Sequence, residues 1–573
     1  MAFFIRMRFC LLALILFKFY IMCQNSYDEE SEFKLPTITI AVLVRNKAHI
    51  LPYFLSALDK LHYPKNRLYI WMYSDYNTDQ SIAILRVWKS LREKDYHGFY
   101  LKADDLTPAF HPDEKNVSSW TSKRHRHIIR LREKAFNFAR KKWSDFLFML
   151  DADVVLTDPE TLKSLIGLSD SVVTGPMLES DGLYSNFWHD MSKDYTYKRT
   201  SDYKHLVKRD KEFLGCHDVP MLHTAVLMSL KHKASDRLTY DPDKVESYDG
   251  PVDDTVALSI STMNTGSKPK MCNVRSYGYI TIPSISYSTH EKEMKKLTNI
   301  KLEALSKGII FPLHPVVSEY VTYPEPTKLA MSKIFMINLP RRTERRHLMM
   351  QSFKELGMDV DVYDGVDGKM LTKQDLDNLG VRMMPEYLDP FHARPMKAGE
   401  IGCFLSHYNI WNKIIENRYD LTMIMEDDVH FAPYFKEKLA RVLKEAESYN
   451  YDLLYLGRKI LSENGETRIT SHTVRPLYTY WTLGYILTHR GAQKLLEVDP
   501  LKNLIPVDEF LPIMFDTHPN ETWKEKFPKR HLRALSAYPL LMNPTHYTGM
   551  DGYISDTEDS IIMNDVDKIH YEL

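Results

Sequence analysis

The feature that most constrains the fold of this chain is a short apolar run leading directly into a cluster of acids, and it occurs twice. Phe146–Leu150 precedes Asp151-Ala152-Asp153, and Leu421–Met425 precedes Glu426-Asp427-Asp428. A short, continuous apolar run of this kind predicts a buried strand. Because ligands bind beyond the carboxyl ends of strands in open α/β sheets, each cluster is predicted to line a site.

The same alternation of predicted strands and helices leads up to each cluster. In the first half, further strands are predicted over 38–44 and 68–73, and helices over 49–61 and 123–142. In the second half, strands are predicted over 334–338 and 360–363, and a helix over 401–416. This alternation predicts α/β domains with mostly parallel sheets. A proline-containing linker over 313–329 separates a predicted domain over 35–312 from one over 330–562.

An acidic pair and then a histidine follow each cluster, in the same order in both halves. Asp253-Asp254 and His290 come after the first cluster, and Asp508-Glu509 and His546 come after the second. This repeated order indicates two copies of one fold. It also makes the two histidines candidates for equivalent roles.

The clusters have the composition of a site for a hard divalent cation, Mn²⁺ or Mg²⁺. Carboxylates hold such ions, often with a histidine for Mn²⁺. Residues i and i+2 of an extended segment point the same way, as two ligands of one ion would. The alternative is a solvated turn or a helix cap. The candidate metal ligands are Asp151, Asp153, His290, Glu426, Asp428 and His546.

Two further groups are candidates for chemistry. Asp508 and Glu509 lie between apolar residues and prolines, and either carboxylate is a candidate general base toward an acceptor hydroxyl. The alternative is that Asp508 caps a helix. Arg341 and Arg342 follow a predicted strand and are candidates for pairing with a diphosphate. Their alternative is a solvated helix face.

The two ends of the chain predict a secretory address. Arg6 and Arg8 precede an apolar stretch over 9–22, which predicts a signal peptide over 1–23, with a signal anchor as the alternative. Lys18 interrupts the stretch, so a stable membrane span is not expected. The last four residues, 570–573, resemble a receptor-read retention signal, which favours the lumen of the endoplasmic reticulum. A net charge of −1 argues against a nucleic-acid binder.

In the lumen of the endoplasmic reticulum, cysteines can form disulfides and sequons can be N-glycosylated. Beyond the predicted signal peptide the cysteines are Cys216, Cys272 and Cys403. A Cys216–Cys272 disulfide is one prediction, and three buried thiols are the alternative. Asn116 and Asn520 begin two N-glycosylation sequons.

Several motifs of the second half resemble those of glycosyltransferase family 25. The chain is similar over most of its length to the animal branch of this family, whose members modify collagen. An invertebrate member is expected. The motifs are Leu339-Pro340-Arg341-Arg342, Asp364-Gly365-Val366-Asp367-Gly368, Gly399-Glu400-Ile401-Gly402-Cys403-Phe404-Leu405-Ser406-His407 and Glu426-Asp427-Asp428. The resemblance implies two tandem GT-A-like domains, which are Rossmann-like, with the main catalytic site in the second. The first domain would be a second active site or a binding domain.

The resemblance also implies a reaction. Galactose would pass from UDP-galactose to hydroxylysine hydroxyls of procollagen chains, with Mn²⁺ and inversion to a β linkage. The residues implied to bind the donor are Asp75, Arg341, Arg342, Asp364, Asp367, Ser406, His407 and Asp427. The alternatives are transfer of another sugar, transfer to another acceptor, or a non-catalytic collagen-binding scaffold. A rod-like acceptor is compatible with a homodimer.

Overall fold

The computed structural model describes residues 35–547 except 117, 169, 284–287 and 463–464, together with 553, 555–557, 559–560 and 562. The predicted signal peptide and the predicted retention signal lie outside the described residues. The chain divides into two compact units. The first comprises Met1–Ile300 with Phe311–Thr322, and the second comprises Lys301–Ile310 with Tyr323–Leu573.

This division differs from the predicted linker over 313–329. The reason is the distribution of apolar side chains along the chain. Leu302 and Leu305 pack in a core of the second unit, whereas Val317, farther along the chain, packs in a core of the first. The chain therefore contributes to the second unit, returns to the first, and then continues into the second.

The first half of the chain contains the following elements. Its strands are β1 (Ile38–Val44), β2 (Leu68–Ser74), β3 (Gly98–Ala103), β4 (Phe146–Leu150), β5 (Val154–Leu156), β6 (Val173–Pro176), β7 (Phe187–Trp188), β8 (Asp190–Met191), β9 (Tyr197–Lys198), β10 (Cys216–Asp218), β11 (Met221–Leu222), β12 (Ala225–Ser229), β13 (Lys270–Cys272) and β14 (Gly278–Ile280). Its helices are α1 (Leu51–Asp59), α2 (Ser81–Arg92), α3 (Ser122–Lys141), α4 (Thr161–Leu168), α5 (Tyr203–Lys208), α6 (Asp254–Met263), α7 (His290–Ser306) and α8 (Pro315–Ser318).

The second half continues the numbering. Its strands are β15 (Lys333–Asn338), β16 (Asp361–Asp364), β17 (Leu421–Met425), β18 (Val429–Phe431), β19 (Leu453–Ile460), β20 (Thr467–Arg468), β21 (Thr473–Arg475), β22 (Thr479–Thr488), β23 (Ala534–Ala537) and β24 (Met542–Pro544). Its helices are α9 (Thr343–Leu356), α10 (Lys373–Asn378), α11 (Ala398–Glu416), α12 (Phe435–Ala446), α13 (His489–Glu497), α14 (Val507–Met514) and α15 (Glu521–Glu525).

The two large sheets have one topology in common. Starting from one edge, the first sheet has the order β3-β2-β1-β4-β12-β6-β13-β10. Starting from the edge near β15, the second has the order β16-β15-β17-β22-β19-β23-β21-β20, so β1, β4 and β12 correspond to β15, β17 and β22. In the first, β1 runs parallel to β2 and β4, while β12 runs antiparallel to β4 and β6. In the second, β15 runs parallel to β16 and β17, while β22 runs antiparallel to β17 and β19. The prediction of two tandem α/β domains with mostly parallel sheets is confirmed.

A short ribbon follows each acidic cluster. β5 pairs antiparallel with β14, and β18 pairs antiparallel with β24. The apolar strand before each cluster is buried in the centre of its sheet, and the ribbon after it is buried as well. Both acidic clusters are therefore held between two fixed strands, so their positions are set by the fold.

The predicted disulfide is present at the edge of the first sheet. Cys216 and Cys272 lie directly opposite each other on the antiparallel strands β10 and β13, and their sulfurs are bonded. Cys403 has a free thiol. Among the described residues, no helix is both long and apolar enough to cross a membrane.

Candidate active site

The second acidic cluster lies where β17 ends, beside the ends of β15 and β22. Asp427 accepts hydrogen bonds from Asn338 Nδ2 at 2.6 Å and from Arg345 Nη1 at 3.0 Å. Asn338 is the last residue of β15, and Arg345 lies in the first turn of α9. Adjacent parallel strands thus place Asn338 and Asp427 in direct contact, as the shared sheet edge requires.

One carboxylate oxygen of Asp428 is unsatisfied. Its Oδ1 atom is buried and has no hydrogen-bond partner, and its Oδ2 atom lies 3.4 Å from Arg345 Nη1. Burial and the charge of Asp427 raise the pKa of Asp428, although Arg345 opposes this. A buried carboxylate oxygen without a partner is costly, and a bound cation would remove the cost.

A cavity of about 410 Å³ opens beside this carboxylate. Asp427, Asp428 and His546 line it together with Arg341, Arg342 and Arg345. Carboxylates and an imidazole suit Mn²⁺, and guanidinium groups suit phosphate oxygens. The residues present therefore fit a divalent cation with a diphosphate. Thr545, the neighbour of His546, donates its backbone N–H to the Asp428 carbonyl at 2.9 Å, which ties this loop to the cluster.

Glu426 is held differently from Asp428. Thr482 donates its hydroxyl to Glu426 Oε1 at 2.6 Å, so β22 supplies a neutral partner. Burial, followed by the charge of Asp428, raises the pKa of Glu426 to about 8. The hydrogen-bond partner described for the Glu426 carboxyl is thus a neutral hydroxyl.

The two candidate bases, Asp508 and Glu509, have different surroundings. Glu509 is 2% exposed and accepts hydrogen bonds from Tyr480 at 2.8 Å, Tyr478 at 2.7 Å and His518 at 2.8 Å. These hydrogen bonds anchor the side chains of Tyr478, Tyr480 and His518 to the start of α14. Asp508 is half-buried, and Trp481 donates its backbone N–H to it at 3.4 Å. Burial and then the charge of Glu509 raise the pKa of Asp508 to about 7, which suits a general base. Both acids lie in the first turn of α14.

Trp481 is a site residue that the sequence analysis missed. It has a left-handed backbone with φ of 63°, which is rare for a bulky residue and frequent at functional sites. Its indole ring lies 6.0 Å from the Tyr547 ring, and Lys459 Nζ lies 5.1 Å from its centroid. Its partner Asp508 lies far along the chain, so no local pattern indicates the contact.

The predicted donor-binding arginines have acidic partners. Arg342 makes a two-bonded pair with Asp556 at 2.8 and 2.6 Å, and Arg341 Nη2 lies 2.8 Å from the same carboxylate. Arg341 also donates to Asp367 at 2.7 Å. In a separate pair, Arg346 donates to Asp364 at 2.6 Å. The structure brings Arg341, Arg342 and Asp367 together, and the two arginines line the cavity. Asp556, which was not predicted, pairs with both arginines.

Ser406 and His407 are buried in α11. Ser406 accepts a hydrogen bond from Val366 N at 2.8 Å and thereby fixes the loop that carries Asp364 and Asp367. His407 is fully buried, and burial lowers its pKa to about 3. The helix approaches the loop so closely that a Cβ at Gly402 would lie 2.4 Å from the Val366 carbonyl oxygen. Ser406 thus supports the loop from the side of α11, and the direct contact of Ser406 and His407 with the donor stays a prediction.

The first acidic cluster has basic partners. Lys47 Nζ lies 2.6 Å from Asp153 Oδ2, and Arg132 Nη2 lies 3.2 Å from Asp151 Oδ1. Arg132 also pairs through Nε with Asp254. Burial raises the pKa of Asp153, but Lys47 outweighs this and holds the pKa below its usual value. Two cations of the chain itself thus contact the three acids, although burial raises the pKa of Asp151 despite Arg132.

Other predicted residues of the first unit lie around a cavity of about 490 Å³. Asp75 is buried at its wall and shares a hydrogen bond of 2.7 Å with His127. Ligand atoms of His125, Asp253 and Asp254 gather within 4.8 Å of one another, a cluster that the sequence analysis missed. Asp253 also caps α6, since its Oδ1 accepts from two backbone N–H groups at 2.9 Å.

His290 and His546 occupy different positions relative to the ribbons of their units. His546 follows β24 closely and lines the cavity of its cluster, whereas His290 begins α7, well beyond β14, and its ring contacts His49 at 6.1 Å. Neither predicted metal set forms a three-residue cluster with ligand atoms within 4.8 Å in the described part of the chain.

The two predicted glycosylation asparagines make different local hydrogen bonds. Asn520 caps the N-terminus of α15, whereas the Asn116 side chain accepts a hydrogen bond from Ser118 N at 2.9 Å.

Family models match both units. The model described as glycosyltransferase family 25, N-terminal domain, matches residues 35–301, and the model described as glycosyltransferase family 25 (LPS biosynthesis protein) matches residues 331–511. The chain belongs to glycosyltransferase family 25. This confirms the resemblance found in the motifs of the second half. As a member of this family, the chain is a glycosyltransferase.

Full-length relatives of this glycosyltransferase are known in insects and vertebrates. A glycosyltransferase 25 family member of Drosophila melanogaster is 44% identical over 560 residues, which covers 94% of this chain and 90% of the relative. Human procollagen galactosyltransferase 2 is 40% identical over 542 residues, which covers 93% of this chain and 85% of the relative. Among solved structures, S. aureus TarS 1-349 aligns at 12% identity with a TM-score of 0.28, over 50% of this chain and 70% of that one.

Proposed function

We propose that the enzyme transfers galactose from UDP-galactose to hydroxylysine side chains of procollagen, and that the second unit carries the transfer site. The name of the human and other vertebrate relatives, procollagen galactosyltransferase, supports the sugar and the acceptor. The observation that carries the placement is that two neighbouring residues of β22 contact two of the acids: Trp481 N–H donates to Asp508, and the Thr482 hydroxyl donates to Glu426. In the same cluster, the buried Oδ1 atom of Asp428 has no hydrogen-bond partner.

The residues divide the chemistry between them. Asp508 takes the proton from the acceptor hydroxyl as its oxygen bonds to the anomeric carbon of galactose. The bond from that carbon to the diphosphate breaks on the opposite face, so the product is β-linked. Asp428, with Asp427 and His546, would hold Mn²⁺, which neutralises charge on the departing diphosphate. Arg345 and the Arg341–Arg342 pair lie in the same cavity and are suited to its phosphate oxygens.

The first unit has a different role in this proposal. Its acids are already paired with Lys47 and Arg132, and its cavity is lined by aromatic and histidine side chains, among them Tyr73, His111, Trp120 and Trp188. We assign to it binding of the acceptor chain or of a nucleotide. The predicted lumenal location and the homodimer remain part of the proposal, since the collagen acceptor is a secretory protein.

The deciding experiment measures galactose transfer from UDP-galactose to a hydroxylysine-containing collagen peptide, with Mn²⁺ and with a chelator. Wild type is compared with the Glu426→Ala/Asp428→Ala and Asp151→Ala/Asp153→Ala double variants. We expect the first double variant to lose transfer and the second to retain transfer at reduced peptide affinity. Loss of transfer only in the Asp151→Ala/Asp153→Ala enzyme would move the active site to the first unit.

Two controls separate the alternatives. UDP-glucose and other UDP-sugars in place of UDP-galactose test donor choice, and a lysine peptide without the hydroxyl tests the acceptor. Wild-type protein that binds the collagen peptide but transfers no sugar from any donor would support the non-catalytic scaffold instead. Circular dichroism and thermal unfolding of each variant show whether lost activity reflects lost folding.

A further inference from the structure

Three chemically different side chains gather in the second unit behind the acidic cluster. The Cys403 sulfur, a ring nitrogen of His407 and a carboxylate oxygen of Glu426 all lie within 4.8 Å of one another. Cys403 and His407 are one turn apart on α11, so they face the same direction. Glu426 follows β17 directly. A thiol, an imidazole and a carboxyl therefore converge where this helix meets the end of a central strand.

His407 has one nitrogen without a partner. Its Nδ1 shares a hydrogen bond of 2.8 Å with the Tyr485 hydroxyl, which also accepts from Trp411 Nε1 at 3.0 Å. Its Nε2 has no hydrogen-bond partner, and the side chain is 0% exposed. An unsatisfied buried ring nitrogen is costly, so its retention calls for an explanation. Because Nδ1 is engaged, Nε2 is the nitrogen left for a ligand.

The surroundings of His407 resemble the second shell of a bound metal. Metal-binding histidines usually engage their other ring nitrogen with a fixed polar partner, which sets the tautomer and the ring orientation. The Tyr485 hydroxyl meets that description because Trp411 holds it in place and both residues are fully buried. With Nδ1–H donating to Tyr485, the Nε2 lone pair points away from that pair and is available to a metal ion.

We propose that Cys403, His407 and Glu426 bind a zinc-class divalent cation, with water as the fourth ligand. A thiolate, an imidazole and a carboxylate are typical zinc ligands, whereas Mn²⁺ and Mg²⁺ favour oxygen. Binding requires the Cys403 thiolate, the Glu426 carboxylate and the neutral His407 imidazole, so protons held by the thiol and by the carboxyl are released to solvent. The set differs from the Asp427–Asp428–His546 set proposed for Mn²⁺, although Glu426 borders both. Because Glu426 directly precedes Asp427 and Asp428, a zinc ion on Glu426 would place a second positive charge beside the Mn²⁺ set and inhibit transfer, a consequence that rests on the proposed function.

Co²⁺ is the probe for the binding claim, because a thiolate bound to Co²⁺ gives a near-ultraviolet charge-transfer absorption. The full chain is purified, freed of metal, kept under conditions that preserve the Cys216–Cys272 disulfide, and titrated. We expect this absorption to saturate at one equivalent and to disappear when Zn²⁺ is added. Cys403→Ser should abolish it, and His407→Gln should weaken binding by more than about 100-fold. Tyr485→Phe, which removes only the support of His407, should weaken binding about tenfold.

Matched controls make the result decisive. Asp427→Asn alters the neighbouring acidic cluster and should leave the Co²⁺ absorption intact. Absence of thiolate absorption in folded wild type, or its persistence in Cys403→Ser, would overturn the proposal. If Cys403→Ser does not fold, alkylation of Cys403 in wild type is followed by peptide mass spectrometry, where Zn²⁺ should slow the reaction at least tenfold. Equal alkylation with and without Zn²⁺ would also overturn it.

Transfer assays separate this proposal from the function on which its consequence rests. At saturating Mn²⁺, we expect added Zn²⁺ to inhibit wild type and to leave Cys403→Ser active. Equal inhibition of both would show that zinc acts elsewhere and would refute the regulatory consequence. If no form transfers sugar, the proposed function fails, while the Co²⁺ absorption still decides whether the metal site exists.

Discussion

The two units place acids at the same sheet edge and balance their charge in different ways. In the first, Lys47 and Arg132 contact Asp153, Asp151 and Asp254. In the second, the partners of Glu426 and Asp427 include the neutral Thr482 and Asn338, and Arg345 is the cation shared by Asp427 and Asp428. One fold thus yields a cluster with two basic partners, Lys47 and Arg132, and a cluster in which Asp427 and Asp428 share Arg345.

The largest expected difference between the units concerns the base. Asp508→Asn should lower kcat/KM for transfer by about 10³-fold, because a positioned base contributes between roughly 10² and 10⁴. Asp253→Asn, the corresponding change in the first unit, should lower kcat/KM less than about tenfold. Initial rates at subsaturating collagen peptide measure both. Equal losses would mean that the two units share the chemistry.

The next effect concerns the metal. Asp428→Asn should lower kcat/KM by about 10² and raise the Mn²⁺ concentration needed for half-maximal rate, because a carboxylate ligand has been removed. Asp153→Asn, next to Lys47, should leave the Mn²⁺ dependence unchanged. A shift of the Mn²⁺ dependence in the Asp153 variant alone would reverse the assignment of the two clusters.

The pH dependence offers a smaller, continuous test. Asp508 acts when deprotonated and its pKa is about 7, so kcat/KM should rise about tenfold per pH unit below pH 7 and level off above it. In Asp508→Glu, any residual rate should show a shifted midpoint. A flat profile through neutral pH would argue against Asp508 as the base.

The smallest effect on transfer, but a clear one on stability, should come from Arg132→Met. Arg132 is buried and serves two acids, so its loss leaves uncompensated charge and should destabilise the first unit by about 3 kcal/mol. Arg345→Met should destabilise the second unit less, since the Arg345 side chain is 26% exposed and the site is open to solvent. Thermal unfolding with and without Mn²⁺ measures both. Greater destabilisation by Arg345→Met would contradict the contrast.

The central strands were predictable because each is a continuous apolar run. β1, β4 and β17 have the predicted bounds, and the acids that follow them lie at the sheet edge as expected. The residues that contact these acids were harder to predict from the sequence. Arg132 and Trp481 reach their acidic partners through long-range packing, which leaves no spacing signal. The matching order of the two histidines did not reveal that His290 begins α7, ten residues after β14 ends, while His546 follows β24 closely.

The return of the chain to the first unit has a consequence for biosynthesis. Val317 is fully buried in a first-unit core, although residues 301–310 belong to the second unit. A nascent chain cannot complete the first unit until this stretch has left the ribosome, after part of the second unit has already emerged. Any single cut between residues 300 and 322 would therefore separate either Leu302 and Leu305 or Val317 from the core in which it packs, so we expect separately expressed halves to be less stable than the same units in the intact chain.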